Sequence, residues 1–172
     1  VQRQTGNILT LQTTNAEGAS DNFIQTLGSS TFTLGDGSNA PDSAVCADGG
    51  EYFAICWRSI TGYSKFGSYT GNGSTTGPTI TTGFRPAFIL IKSTVVDSWF
   101  LLDTTRDPGP NPINIYLNPD ENAAESTTTN ANIDILDTGF QLKTAHEVFN
   151  EDGTDYIYAT FADKREYAYW LD

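Results

Sequence analysis

Apolar residues in this chain fall in short runs with a period of two or in unbroken blocks, and no stretch of twelve residues keeps a helical period. "EYFAICW" at 51–57 alternates, placing Phe53, Ile55 and Trp57 on one face of a predicted strand and Tyr52, Ala54 and Cys56 on the other. "INIYL" at 113–117, "FQLK" at 140–143 and "DYIYATFA" at 155–162 alternate in the same way. "FIQTL" at 23–27 and "TFTL" at 31–34 form a further pair of predicted strands around "GSS". "AFILIK" at 87–92 and "SWFLLD" at 98–103 are continuous apolar blocks, the pattern of strands covered on both faces. "GNGSTTGP", "DPGPNP" and "NEDGTD" lie between these runs and carry the Gly, Pro, Asn and Asp that turns require. Only "DENAAES" at 120–126 offers a helical turn. The series predicts an all-β fold, an antiparallel β-sandwich of jelly-roll or concanavalin-like type.

The chain also repeats itself. Leu9 falls on Leu117, Ala16-Glu17 on Ala124-Glu125, Leu27 on Ile135, and Phe32 and Leu34 on Phe140 and Leu142, all at an offset of 108. The offset then drops to 104, setting Gly49 on Gly153, Tyr52 on Tyr156 and Trp57 on Phe161. No earlier partner exists for the middle of the chain, from about Phe66 to Arg106. The expectation is a tandem module: residues 1–57 the C-terminal half of a preceding repeat packed on the main module, 58–66 a connector, 67–162 a complete sandwich, and 163–172 a tail. A chain that opens on Val1 and lacks Met fits a fragment of a longer array. Half a sandwich leaves an unpaired edge and an exposed apolar face, so either residues 1–57 pack on the complete module or a neighbouring chain covers them.

Charge narrows the partners. With 21 acidic against 9 basic side chains the net charge is −12, which repels phosphate backbones and anionic lipid and argues against nucleic-acid or membrane binding. No apolar run reaches the length of a membrane helix, and no N-terminal secretion signal is visible. Cys46 and Cys56 would sit out of register across a "DGG" hairpin, so free thiols, one half-buried in a strand, are favoured over a disulfide. No Cys/His spacing points to a metal, and no cofactor fingerprint is present. The acidic loops "NPDEN" and "NEDGTD" lack EF-hand spacing and read as solvated loops, with calcium the alternative. His146 is the only histidine and has no G-x-S-x-G elbow beside it, and the clustered carboxylates of sandwich glucanases are missing, so no catalytic residue is assigned.

Some residues still suit a ligand. Tyr69 and Asn72 in "YTGNGSTTG" pair an aromatic face with an amide that can bond hydroxyls in two directions, although Asn-Gly is equally a turn signal. Asp103 and Arg106 in "DTTRD" could hold a ligand or close a turn by an ion pair and capping bonds. Trp57 and Trp99 sit in strand patterns that favour core positions, with Trp99 also a candidate platform. Tyr167, Tyr169 and Trp170 near the C-terminus are candidates for an interface.

Six motifs, "FGSYTGNGSTTGP", "GFRPAFILIK", "WFLLDTTRD", "YLNPDENAAES", "IDILDTGFQL" and "NEDGTDYIYATFAD", occur in the order found in a β-rich module of tailed-bacteriophage virion proteins, particularly of marine phages. Residues 60–162 resemble that module, which recurs in tail-fibre-like and other surface proteins. The resemblance implies a lectin-like, concanavalin-type sandwich in a phage particle, with other virion proteins and host-surface glycans as partners, and a homo-oligomer that is a trimer if the module belongs to a fibre. The closing "ADKREYAYWLD" departs from the Pro-containing continuation usual in that module. Three functions follow as expectations: a non-enzymatic appendage domain for host attachment; alternatively an architectural capsid-decoration or fibre-shaft module; and, third, a polysaccharide-degrading appendage enzyme.

Overall fold

A computed structural model describes residues 7–19, 24–35 and 49–162. The chain divides into two compact units, one of residues 1–10 and 15–57, the other of residues 11–14 and 58–172.

The second unit is an antiparallel sandwich. Its larger sheet has six strands: β5 (Ser64–Thr70), β7 (Pro86–Ser93), β8 (Phe100–Asp103), β9 (Ile115–Leu117), β10 (Ser126–Thr127) and β13 (Asp155–Ala162). They lie in the order β10-β9-β8-β7-β13-β5. The smaller sheet has β6 (Thr79–Thr81), β11 (Ile133–Leu136) and β12 (Gly139–Leu142) in the order β11-β12-β6. β13 is therefore central: Tyr156 pairs with Tyr69 on one side and Ser93 on the other, and Tyr158 with Gly67 and Ile91. The alternation of "DYIYATFA" aims Tyr156 and Tyr158 into the core beside Ile89, Ile91, Phe100 and Leu102, against Ile133, Ile135, Phe140 and Leu142 of the smaller sheet. β7 is apolar from Pro86 to Ile91 because its alternate side chains serve both faces, Ile89 and Ile91 inward, Phe88 and Leu90 outward. On that outer face Phe161 makes edge contacts with Phe66 and Phe88 at 5.7 and 5.6 Å.

The first unit holds two hairpins, β1 (Asn7–Ile8) with β2 (Gly18–Ala19), and β3 (Ile24–Leu27) with β4 (Phe32–Leu34). They copy two pairings of the second unit at the sequence offset of 108. Asn7 pairs with Ala19 as Ile115 pairs with Thr127, and Leu27 pairs with Phe32 as Ile135 pairs with Phe140.

Several expectations fail. Residues 51–57 form no strand, and Phe53, Ile55 and Trp57 are 88%, 62% and 64% exposed, so Trp57 is not a core residue. Their counterparts in β13 are held between β5 and β7, and no strands of that kind flank 51–57 among the described residues. Cys56 is an exposed free thiol rather than half-buried, and Cys46 lies outside the described residues. "DENAAES" forms a turn leading into β10 instead of a helical turn. The one short α-helix among the described residues, α1 (Glu147–Asn150), starts instead where the His146 side chain accepts a hydrogen bond from the Val148 amide.

Candidate functional site

The two ends of the six-stranded sheet carry different loops. At the end near Ser93 and Asp155, the 71–78 loop is pinned by Asn150, a residue with no exposed surface. Its Oδ1 accepts from the Asn72 amide at 2.8 Å, and its Nδ2 reaches Asn72 Oδ1 at 2.9 Å and the carbonyls of Ser74 and Thr144 at 2.8 Å each. Gly71 is required here because a methyl group would strike the Glu151 carbonyl oxygen.

This loop and the end of β5 before it hold two of the predicted ligand residues, and both are spent on structure. Tyr69 is buried in the core, stacked on Tyr156 with ring centroids 4.9 Å apart, and its hydroxyl donates to the Phe149 carbonyl at 2.8 Å. Burial raises the Tyr69 pKa well above its usual value, with the neighbouring Tyr156 adding to the shift. Asn72 Oδ1 also accepts from the Ser74 amide at 3.1 Å, while its Nδ2 donates to Thr76 O at 3.2 Å, so the side chain closes the turn. Trp99, 2% exposed, is likewise no platform. Tyr167, Tyr169 and Trp170 lie outside the described residues.

At the other end, near Phe88, the 104–114 loop is built from carboxylates that organise backbone. Asp103 Oδ1 accepts from the amides of Thr105 and Arg106 at 3.0 and 2.7 Å. Its Oδ2 lies 3.4 Å from Arg106 Nη2, and Arg106 Nε lies 3.0 Å from Glu125 Oε2. The pair therefore closes the turn by an ion pair and capping bonds. Arg106 Nη1 is buried without a hydrogen-bond partner among the described residues. Asp107 Oδ2 accepts from the Asn114 and Ile115 amides at 2.7 and 3.1 Å, which fixes the carboxylate and leaves Oδ1 uncommitted. Asn111 clips the loop to β11, donating to the Ile135 carbonyl at 2.9 Å and accepting from its amide at 3.0 Å.

Between these supports lies an open groove of about 450 Å³ lined by Asp107, Gly109, Pro110, Pro112, Asn114, Ile115 and Thr127–Thr129. The lining mixes a carboxylate, an amide and three threonines with two prolines and an isoleucine, and the negative charge of Asp107 disfavours phosphate and other anions. Asp103 and Arg106 stand behind this groove without lining it. The sequence marks Asp107 and Asn111 only as turn material and Asn114 as part of a strand, because what distinguishes them is bonding to backbone seven to 24 residues away.

The remaining polar clusters serve the fold. Lys92 has no exposed surface, and its Nζ donates to the carbonyls of Ser93 and Val95 at 2.7 Å each. Burial lowers its pKa, opposed by Asp97 and Asp120. In the acidic loops, Asp120 Oδ1 accepts from the Trp99 amide at 3.1 Å and Glu151 Oε2 from the Thr154 hydroxyl at 2.7 Å. Among the described residues no group of three or more His, Cys, Asp or Glu could hold a metal, and no helix is long and apolar enough to cross a membrane.

A family model described as "Domain of unknown function (DUF7483)" matches residues 1–165, across both units. No curated protein and no solved structure matches the chain.

Proposed function

The chain belongs to the DUF7483 family, and we propose that it is a structural domain of a phage virion, part of a tail fibre or similar appendage, that contributes to attachment to host-surface glycans. The observation that carries the attachment reading is the groove at Asp107 and Asn114: shallow, rigidly built and mixed in polarity, as a sugar-binding surface is and a deep catalytic cleft is not. The phage assignment is supported by the six ordered motifs of residues 60–162 and by the duplication, since repeated modules multiply weak contacts into avidity. The side chain of His146, the only histidine, accepts a hydrogen bond from the Val148 amide at the start of α1.

On this reading the partners are other virion proteins and a neutral surface glycan, and the domain works at the particle surface as a homo-oligomer. The test is binding of the purified chain to a panel of bacterial surface polysaccharides and to marine bacterial cells. Attachment that weakens about tenfold in Asp107→Asn, whose amide keeps the backbone bonds but turns a donor outward, supports the proposal. Uniform failure to bind would favour an architectural module, and release of reducing sugar would favour an enzyme.

A further inference from the structure

We propose that residues 51–57 are the central strand of a second sandwich, completed when a preceding copy of this module supplies strands equivalent to β5–β8. The first unit reproduces the later part of the second strand for strand. β1 with β2 repeats β9 with β10, and β3 with β4 repeats β11 with β12 in register at Leu27–Phe32 and Thr26–Thr33, with a shift between Ile24 and Thr26. Gly49, at φ 74°, stands where Gly153, at φ 77°, turns the chain into β13. The turn is set, and among the described residues the strand it should launch has no sheet to enter.

Exposure shows what is missing. Ile135, Phe140 and Leu142 are 2%, 0% and 0% exposed because the larger sheet covers them, whereas their counterparts Leu27, Phe32 and Leu34 are 60%, 37% and 38% exposed. Ile157 is 3% exposed between β5 and β7, and its counterpart Phe53 is 88% exposed. Every one of these apolar side chains is bare where its twin packs against or within β5–β8, and no segment of the chain corresponds to those strands in the first unit. A polypeptide with the residue pattern of Ser64–Asp103 fits by register and by face, pairing Tyr52 as Tyr69 and Ser93 pair Tyr156. The inference does not depend on glycan binding.

Residue 1 is equivalent to residue 109, so the missing strands can be supplied by fusing a copy of residues 58–108 directly ahead of Val1 of the full chain. In a Cys46→Ser background, Cys56 takes the place of Thr160, which has no exposed surface. Thiol labelling of Cys56 and amide exchange of residues 51–57 should both slow by about a hundredfold in the fused chain, but not behind a scrambled copy of the same segment. Unchanged labelling and exchange in the fused chain would overturn the proposal. So would protection of Cys56 in the unfused chain that rises with protein concentration, because the occupant would then be a second copy of the chain.

Discussion

Asn150 offers the sharpest test of how the loops are held. Replacing it with Ala strands the Asn72 amide and the carbonyls of Ser74 and Thr144, and leaves Asn72 Oδ1 with the Ser74 amide alone. A buried polar group left unpaired costs about 1–3 kcal/mol. Only the Thr144 bond is fully buried, and water can reach the other partners, so the expected loss is about 2–4 kcal/mol in total. For a domain of this size that lowers the melting temperature by roughly 10 °C or more. Asn150→Asp separates the donors from the space they fill. Its carboxyl would face three oxygens where the amide nitrogen now stands, which raises its folded-state pKa. A raised acid binds its proton more tightly when folded, so stability is lost as pH climbs above the unfolded value of about 4. Thermal melts by near-ultraviolet circular dichroism should therefore show Asn150→Asp melting lower at pH 7 than at pH 4.5, relative to the parent chain at each pH. A drop below about 3 °C for the Ala variant, or a pH-independent Asp variant, would refute the account of Asn150 as the pin.

Two other outcomes follow from the core. Tyr69→Phe should cost about 1 kcal/mol in urea unfolding, for the lost bond to Phe149, and leave glycan binding unchanged. The Tyr156 pKa is pushed up to about 12, chiefly by burial, so its contribution to stability should persist to about pH 10 and fall away between pH 10 and 12, seen as phenolate absorbance rising together with unfolding. Gly139→Ala would drive a methyl into the Ile80 carbonyl oxygen of the paired strand and should cost about 1–3 kcal/mol. Gly153→Ala meets nothing within 4 Å, so only its φ of 77° opposes it, and about 1 kcal/mol is expected in the same assay.

Much of the sandwich was legible because period-two patterns report burial directly. "AFILIK" became β7, and "DYIYATFA" became β13 to the residue. The same pattern misled at 51–57, because alternation records a readiness to pair and says nothing about whether pairing strands exist. β5 escaped notice for the opposite reason: Gly67 interrupts "SKFGSYT", yet it is there to let the Tyr158 ring lie against the backbone. Tyr69 looked like a binding residue beside a turn, and its true partner, the Phe149 carbonyl, is 80 residues away. The groove was illegible for a related reason. Asp107 reads as part of a Pro-rich turn and Asn114 as part of a strand, and only the folded loop brings both to the lining of one groove.

The central place of β13 has a further consequence for how the protein is made. β13 leaves the ribosome after all the other strands of its sheet, and each of its pairings with β5 spans more than 80 residues, so the sheet cannot close during synthesis of the strands before it. Until then β5 and β7 border an empty slot shaped for a strand of alternating apolar residues. Residues 51–57 carry that alternation and emerge about a hundred residues earlier, which makes them a competitor for the slot in the nascent chain. Phe53→Asp should therefore raise the yield of correctly refolded protein, and an unchanged yield would show that no such competition occurs. The duplication thus brings a kinetic hazard, and the order of synthesis decides which of two similarly patterned segments arrives first.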